Sequence, residues 1–278
     1  MEASTYQDLP AVNAILNYLV PTAEKPFTRT YDPPPGIART NTAYAGHPFA
    51  VRNARPIAAD LSLDREGFAL VSHKTAIRDF DNEDELRRVY YPEAERLVAD
   101  ATGASRVLVF DHTIRRRFPN TQDRTAGAPR QPVPRVHNDY TVKSGPQRVR
   151  DLLGDEADDL LRRRFAIVNV WRPIRGPLLD APLAVADARS VPFSDFIAAD
   201  LVYPDRRGET YAVAFNPAHR WFYVPAMRQD EALLIKCFDS AEDSRARFSP
   251  HSAFEDPTTP PDALPRESIE LRTLVFFD

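Results

Sequence analysis

Prolines punctuate this chain from end to end: 26 of its 278 residues are proline, against nine glycines. Proline lacks the backbone N–H that sheet ladders and helix interiors need, so it confines regular structure to short segments. The pattern predicts a strand-rich fold with rigid loops. The phosphate-cradling patterns G-x-G-x-x-G and G-x-x-x-x-G-K do not occur in the sequence, which argues against a nucleotide-binding fold.

The distribution of charges and the cysteine content exclude several other classes of protein. The 36 basic and 40 acidic residues are spread along the chain, whereas nucleic-acid binders concentrate basic residues in a patch. No apolar run approaches the roughly 18 residues of a membrane span, and no secretory signal pattern is present. A single cysteine, Cys237, excludes an internal disulfide framework and a thiolate metal cluster. We therefore expect a cytoplasmic protein without nucleic-acid or membrane partners.

The distribution of apolar residues indicates one main domain. Residues 1–65 read as an irregular, proline-rich segment that covers a core or an entrance, and residues 66–278 as the domain itself. Helices are expected over 81–103, interrupted at Pro92 and capped by Gly103, and over 146–164. Strands are expected near 66–71, 105–111, 136–140, 166–171, 183–186, 211–215, 221–224, 232–238 and 268–277. This order predicts an α+β fold: a double-stranded β-helix, or jelly-roll, core with flanking N-terminal helices.

One histidine has the spacing of a metal ligand. Among the six histidines, only His137 lies two residues from a carboxylate, Asp139, within a strand-like run, PRVHNDY. Residues i and i+2 of a strand share a face, so both side chains can reach one metal while Asn138 faces away. Such a pair supplies two ligands of the 2-His-1-carboxylate triad of Fe(II) oxygenases. Taken alone the pattern is weak, because a surface histidine–aspartate pair looks the same.

The C-terminal third supplies candidates for the other parts of such a site. His251 follows a predicted strand, and Arg266 and Ser268 begin the last one. The planar guanidinium of an arginine can bind the far carboxylate of 2-oxoglutarate with two parallel hydrogen bonds. Ser268 and Arg272 share the face of Arg266 by the same period of two. The order of pair, late histidine and final arginine is the order that a jelly-roll oxygenase requires.

Several stretches resemble one family of enzymes. They are PVPRVHNDYT, IVNVWRPIRGPLLDAPLAVADARSV, NPAHRWFYVPAM, and FSPHSAFEDP followed by PRESIELR. Together they resemble the AsaB-type hydroxylase/desaturase family, also described as gibberellin-desaturase-like or CmcJ-related, from about residue 67 to the C-terminus. The resemblance implies a non-haem Fe(II)- and 2-oxoglutarate-dependent oxygenase that uses O2 to hydroxylate or desaturate a small molecule, often in secondary metabolism.

Some alternatives stay open at this point. His219, in the run HRWFY, competes with His251 for the position of the third ligand, and we favour His251 because it precedes the final arginine. Arg272 competes with Arg266 as the anchor of 2-oxoglutarate. Two other functions fit a jelly roll: a cupin-like metal enzyme that does not use 2-oxoglutarate, and a non-catalytic binding protein. The oligomeric state and the identity of the substrate are not legible in the sequence.

Overall fold

The computed structural model describes residues 6–118, 121, 123 and 129–278. The strands in this part of the chain are β1 Ala11–Leu19, β2 Phe27–Arg29, β3 Tyr44–Asn53, β4 Phe68–Ser72, β5 Arg106–Arg116, β6 His137–Asn138, β7 Phe165–Pro173, β8 Leu183–Ala186, β9 Phe196–Val202, β10 Arg207–Val213, β11 Trp221–Tyr223, β12 Glu231–Asp239, β13 His251–Ala253 and β14 Glu267–Phe276. The α-helices are α1 Glu83–Glu85, α2 Tyr91–Thr102, α3 Ser144–Leu153 and α4 Ala157–Leu160.

In the described part of the chain, the strands form two sheets. The larger sheet has the order β1-β3-β11-β8-β13-β6-β10-β9-β2, and the smaller sheet has the order β4-β12-β7-β14-β5. Neighbouring strands are antiparallel except for β3 with β11 and β2 with β9. Apolar side chains of both sheets, among them Ile167, Phe222 and Leu233, form the main core. The curled sheets and the few helices confirm the predicted jelly-roll fold.

The helices before β5 pack on the smaller sheet, as expected. A π-helical turn, Leu86–Tyr90, precedes α2, and Pro92 occupies the first turn of α2. Val98 and the buried residues of the π-helical turn join an apolar cluster with strand residues of the smaller sheet. Gly103 ends the helix with a φ of 69°, in the left-handed region that glycine adopts without strain. The predicted cap at Gly103 and the predicted place of Pro92 in a first helical turn are confirmed. The predicted break into two separate helices is wrong, because the backbone stays helical from Glu83 to Thr102 and changes only to a π-helical turn before Pro92.

The N-terminal segment is more regular than predicted. We interpreted 1–65 as irregular, and this is wrong for Ala11–Leu19 and Tyr44–Asn53, which pair along their whole length as β1 and β3. Alternate residues of β1, namely Ala14, Leu16 and Tyr18, are buried, and this period of two is what a half-buried strand shows. In the sequence the alternation of β1 is interrupted by Ile15, which is apolar but exposed. A domain boundary at residue 66 stays a prediction.

The remaining differences concern short or edge strands. β2, β9 and β13 were not predicted, and β5 extends to Arg116 instead of ending at Asp111. The expected strand at 183–186 has the predicted bounds. The expected helix over 146–164 is divided between α3 and α4 by a 3-10 turn, Gly154–Glu156. No helix within the described residues is long and apolar enough to cross a bilayer.

Candidate active site

Two short neighbouring strands bring together a histidine pair and a carboxylate. His137 begins β6, Asp139 follows it directly, and His251 begins β13. In the antiparallel pairing of these strands His251 lies opposite His137, and their ring centroids are 4.5 Å apart. The ligand atoms of the three side chains all lie within 4.8 Å of one another, and no other group of three potential metal ligands occurs among the residues that the structure describes.

Backbone carbonyl groups orient both imidazoles. Nδ1 of His137 lies 2.9 Å from the carbonyl oxygen of Arg135, and Nδ1 of His251 lies 3.2 Å from that of Ser249. A carbonyl oxygen only accepts, so Nδ1 carries the proton in both rings and Nε2 keeps its lone pair for a metal. Nε2 of His137 is 3.6 Å from Oδ1 of Asp139. Two ligand atoms that each lie about 2.1 Å from an ion, at a right angle to one another, are about 3 Å apart. The observed spacing therefore fits one shared ion after small rotations of the two side chains.

Two side chains of the smaller sheet hold the carboxylate of Asp139. Its Oδ2 accepts hydrogen bonds from Nδ2 of Asn169 at 2.8 Å and from Nε of Arg272 at 3.2 Å. Burial alone would raise the pKa of Asp139, but Arg272 and the two histidines hold it well below its usual range. Burial, aided by His251, lowers the pKa of His137 to about 3. The set is therefore one carboxylate and neutral imidazole, the ligand chemistry that suits Fe(II).

Asn138, between the two predicted ligands, points elsewhere, as expected. It is fully buried, and its amide nitrogen donates to the carbonyl oxygens of Tyr140 and Cys237, both at 2.8 Å. Cys237 lies on β12 of the smaller sheet. The short strand that presents His137 is thus attached to the opposite sheet by a side chain as well as to its own neighbours.

The structure separates the two candidates for the third ligand. His219 is buried away from the group of three: its Nδ1 lies 2.9 Å from the hydroxyl of Tyr18, and its Nε2 lies 3.0 Å from Oδ2 of Asp195. Both ring nitrogens are therefore occupied by side chains. The structure brings His251, and not His219, to His137 and Asp139.

Arg266 has the surroundings of an anion-binding group. Its side chain is buried, Nε donates to Oγ of Ser268 at 2.9 Å, and Nη1 donates to the carbonyl oxygen of Ala181 at 2.9 Å. The guanidinium carbon lies 4.9 Å from the centre of the Trp171 ring. Burial, with the charge of Arg115 nearby, lowers the pKa of Arg266 to about 9. Among the described residues, no carboxylate forms an ion pair with this guanidinium.

Arg272 is engaged differently. Besides Asp139, its guanidinium donates to Glu270 at 2.7 Å, to Thr113 at 3.0 Å and to Asp111 at 3.2 Å. These acids hold its pKa well above the usual value, although burial opposes them. All three nitrogens have acceptors, so Arg272 orients a candidate ligand and has no free edge for a second carboxylate. Of the two arginines predicted as anchors, only Arg266 keeps donor capacity.

A cavity of about 730 Å³ opens beside two of the three candidate ligands, His137 and Asp139. His137, Asp139 and Arg272 line it together with residues of β5, α3, β9 and β10, and Tyr44 of the N-terminal segment contributes to one wall. The volume lies within the roughly 300–1,000 Å³ of small-molecule sites. A small molecule of moderate size can therefore sit directly against His137 and Asp139.

Several site residues were not identified in the sequence. Asn169 precedes Trp171 by two residues in the run NVWRP, so a period of two places them on one face, but nothing in the sequence says which face is inside. Arg115 and Tyr140 also line the cavity, and Glu270 lies between the two arginines of β14. Their positions depend on how the two sheets face each other, which no local pattern records.

Comparisons with known proteins identify relatives of this chain. A domain family described as "Oxidoreductase/YMDC permease-like domain" matches residues 16–276. The hydroxylase/desaturase efuI of Hormonema carpetanum is 35% identical over 289 residues, covering 97% of this chain and 96% of that protein. The hydroxylase/desaturase asaB of Aspergillus flavus is 45% identical over 137 residues, covering 44% of this chain and 60% of that protein.

A solved structure extends the similarity to three dimensions. The iron and alpha-ketoglutarate-dependent endoperoxidase NvfI superimposes with a TM-score of 0.87 at 29% identity, covering 96% of this chain and 98% of that one. The likeness therefore extends over nearly the whole chain. Sequence, fold and site lead to one conclusion. The chain belongs to the AsaB-type hydroxylase/desaturase family of Fe(II)- and 2-oxoglutarate-dependent oxygenases.

Proposed function

We propose that His137, Asp139 and His251 hold the Fe(II) of this oxygenase. The observation that carries the proposal is the convergence of their ligand atoms within 4.8 Å, with both Nδ1 atoms turned onto carbonyl groups. When bound, Fe(II) with 2-oxoglutarate and O2 supplies the power to oxidise an unactivated C–H bond, yielding succinate and CO2. The chain's own residues supply ligand orientation, co-substrate binding and a shaped cavity.

Arg266 and Ser268 are the residues that we assign to the far carboxylate of 2-oxoglutarate. The guanidinium is fixed by Ser268 and by stacking on Trp171, so little rotamer freedom is lost when a carboxylate binds. Arg115 lies opposite Ser268 in the pairing of β5 with β14, and burial lowers its pKa to about 10. Two buried guanidiniums side by side favour an anion between them, which supports this location for the carboxylate.

Asn169 and Arg272 have a positioning role in this scheme. Their hydrogen bonds to one oxygen of Asp139 leave the other oxygen, Oδ1, for the metal. Outer partners of this kind commonly change metal affinity or activity about 10–100-fold. Because Arg272 stays protonated beside Asp139, it also offsets the charge that a buried carboxylate brings into the site.

We further propose that the substrate is a small organic molecule of secondary metabolism. Relatives named hydroxylase/desaturase, and one named aspirochlorine biosynthesis protein N, support this class of reaction. Membership in this family favours the oxygenase function. It argues against the two alternatives, a cupin-like enzyme that does not use 2-oxoglutarate and a non-catalytic binding protein. A cytoplasmic location remains a prediction that depends on the single cysteine.

Anaerobic titration tests the assignment. Adding Fe(II) and then 2-oxoglutarate to the metal-free protein should produce the weak visible charge-transfer band of the chelate. His137→Ala and Asp139→Ala should lose the band together with most of the iron, and should retain the folded far-UV spectrum. His73→Ala is the matched control, because His73 contacts Arg172 and lies outside the group of three. Full iron occupancy in His137→Ala would overturn the ligand assignment.

A further inference from the structure

The wall of the cavity carries acids that have partners and some cations that do not. Of the six carboxylates that line the cavity in the described residues, five lie in ion pairs. The pairs are Asp111 and Asp139 with Arg272, Asp123 with Arg130, and Asp200 and Glu209 with Lys25. The sixth, Asp151, accepts a hydrogen bond from Gln147 at 2.8 Å.

Among the cations that line the cavity in the described residues, Arg148 is the one with a buried nitrogen that has no hydrogen-bond acceptor. It lies on the face of α3 that lines the cavity, with Ser144 one turn before it and Leu152 one turn after it. Its Nε is buried without a hydrogen-bond acceptor, and no acid among the described residues pairs with it. Its guanidinium carbon lies 5.8 Å from the centre of the Phe110 ring. A buried N–H of a charged group without an acceptor is rare in proteins and calls for a ligand or water.

Tyr140 completes this corner of the cavity. Its ring meets that of Phe110 edge to face, with centroids 6.4 Å apart. Tyr140 and Arg148 both line the cavity, and the Tyr140 hydroxyl has no hydrogen-bond partner among the residues that the structure describes. A tyrosine hydroxyl is protonated at neutral pH and can therefore donate a hydrogen bond. Phe110, Tyr140 and Arg148 together are called the Arg148 corner below.

A second unpaired cation faces the same cavity. Arg135 precedes His137 by two residues, and both side chains line the cavity. Its guanidinium carbon lies 5.9 Å from the centre of the Tyr44 ring, and within the described chain it makes no ion pair. Arg135 therefore adds to the positive potential that the Arg148 corner places in front of the metal ligands.

The Arg148 corner is separate from the proposed anchor of 2-oxoglutarate. Phe110 adjoins Asp111, which lies opposite Arg272 in the pairing of β5 with β14. Arg266 comes six residues before Arg272 and directly precedes β14. The candidate metal ligand Asp139 contacts Arg272, so the site has one cationic region near the metal ligands and another at the far end of the strand. Two anions can be bound at once.

We propose that the substrate carries a carboxylate or an equivalent anion, which Arg148 binds by a charge-assisted hydrogen bond while Tyr140 donates a second one. The apolar part of the molecule packs on Phe110 and the aromatic walls of the cavity. This proposal depends on the proposed function, because it treats the cavity as the substrate site. It predicts an amphipathic small acid held by its anionic end, with a C–H bond presented to the metal ligands.

A matched pair of fluorescent probes tests the proposal on the protein loaded with Fe(II) and 2-oxoglutarate under anaerobic conditions. The probes are 8-anilinonaphthalene-1-sulfonate, which is anionic, and N-phenyl-1-naphthylamine, which has the same ring system without the sulfonate. Arg148→Gln should weaken binding of the anionic probe at least about tenfold, a factor that corresponds to about 1.4 kcal/mol. The neutral probe should bind both proteins equally. Arg148→Lys should restore part of the loss.

Arg150→Gln is the control on the same helix. Arg150 is exposed and faces Asp158 at 4.0 Å, so its removal should change neither probe. Equal affinity of the anionic probe for the wild type and for Arg148→Gln would overturn the proposal. So would loss of the 2-oxoglutarate band in Arg148→Gln, because Arg148 would then hold the co-substrate. Failure of the wild type to form that band would instead overturn the proposed function.

Discussion

Nε of Arg272 lies 3.2 Å from Oδ2 of Asp139, the carboxylate oxygen that does not face His137. Oδ2 also receives the amide of Asn169, so one oxygen is held by the protein and the other is left for a metal. This arrangement separates two arginines that the sequence presents as equivalent. Arg272 acts on the candidate ligand, and Arg266 is available to the co-substrate.

The first prediction concerns Arg272 and Asn169. Arg272→Lys and Asn169→Ala should each lower the affinity for Fe(II), by about tenfold or more, because the carboxylate loses a partner that fixes its orientation. Equilibrium titration with Fe(II) under anaerobic conditions measures the change. Asp111→Asn is the control: it alters an exposed partner of the same guanidinium, and exposed pairs contribute little. Unchanged iron affinity in both variants would contradict the proposed positioning role of Arg272 and Asn169.

The second prediction concerns Arg266. Arg266→Ala should weaken binding of 2-oxoglutarate at least about tenfold, since hydrogen bonds to charged groups contribute about 1.5–3 kcal/mol each. Iron affinity should be retained, because Arg266 is not among the three candidate ligands. Arg266→Lys should recover part of the affinity, and Ser268→Ala should lose less than Arg266→Ala. The intensity of the charge-transfer band as a function of 2-oxoglutarate concentration provides the measurement. A larger loss in Arg272→Lys than in Arg266→Ala would move the anchor to Arg272.

The third prediction separates His251 from His219. His251→Ala should lose most of its iron and keep its thermal stability within a few degrees of that of the metal-free wild type. His219→Ala should keep its iron and unfold at a lower temperature, because Tyr18 and Asp195 lose a shared partner and unsatisfied buried groups cost about 1–3 kcal/mol each. Iron content by mass spectrometry and thermal unfolding by circular dichroism measure the two effects. The opposite pattern would make His219 the third ligand.

The fourth prediction concerns how the N-terminal segment is attached. Arg55 donates to both carboxylate oxygens of Glu231, at 2.6 and 2.9 Å. Burial would raise the pKa of Glu231, but the hydrogen bonds from Arg55 and from the backbone of Arg228 lower it. Its ion pair therefore stabilises the fold above the unfolded pKa of about 4.3, and this contribution is lost as the pH falls through the lower folded value.

Arg55→Gln should accordingly reduce the free energy of unfolding at pH 7 by about 1–3 kcal/mol, and the difference from the wild type should shrink below about pH 4. Urea unfolding between pH 3 and pH 7 measures it. Arg163→Gln, which removes an exposed cation 3.9 Å from Asp278, should leave stability unchanged at every pH. A difference that grows on acidification would contradict the assigned direction of the Glu231 pKa.

The alternation of side chains along a strand was enough to predict which candidate site residues share a face, because it depends only on strand geometry. The shared face of His137 and Asp139, and that of Arg266, Ser268 and Arg272, follow from the alternation of side chains. The contacts that distinguish Arg266 from Arg272 are made to Ala181, just before β8, and to Asp139, just after β6, and such contacts between distant segments leave no local signal. Arg148 also leaves no local signal of its role. Its helix was predicted from the sequence, but the cavity that Arg148 lines was not.

The buried amide of Asn138 joins β6 to β12 across the two sheets, and Asp139 is held from the smaller sheet by Asn169. The candidate ligands therefore keep their geometry only while the sheets remain packed together. A metal that binds only the protein with its two sheets packed together increases the free energy of unfolding by mass action. The increase is proportional to the logarithm of the free iron concentration once that concentration exceeds the dissociation constant. Iron availability in the cell then acts on the lifetime of the protein as well as on its turnover, and starved enzyme should be the form that proteases remove first.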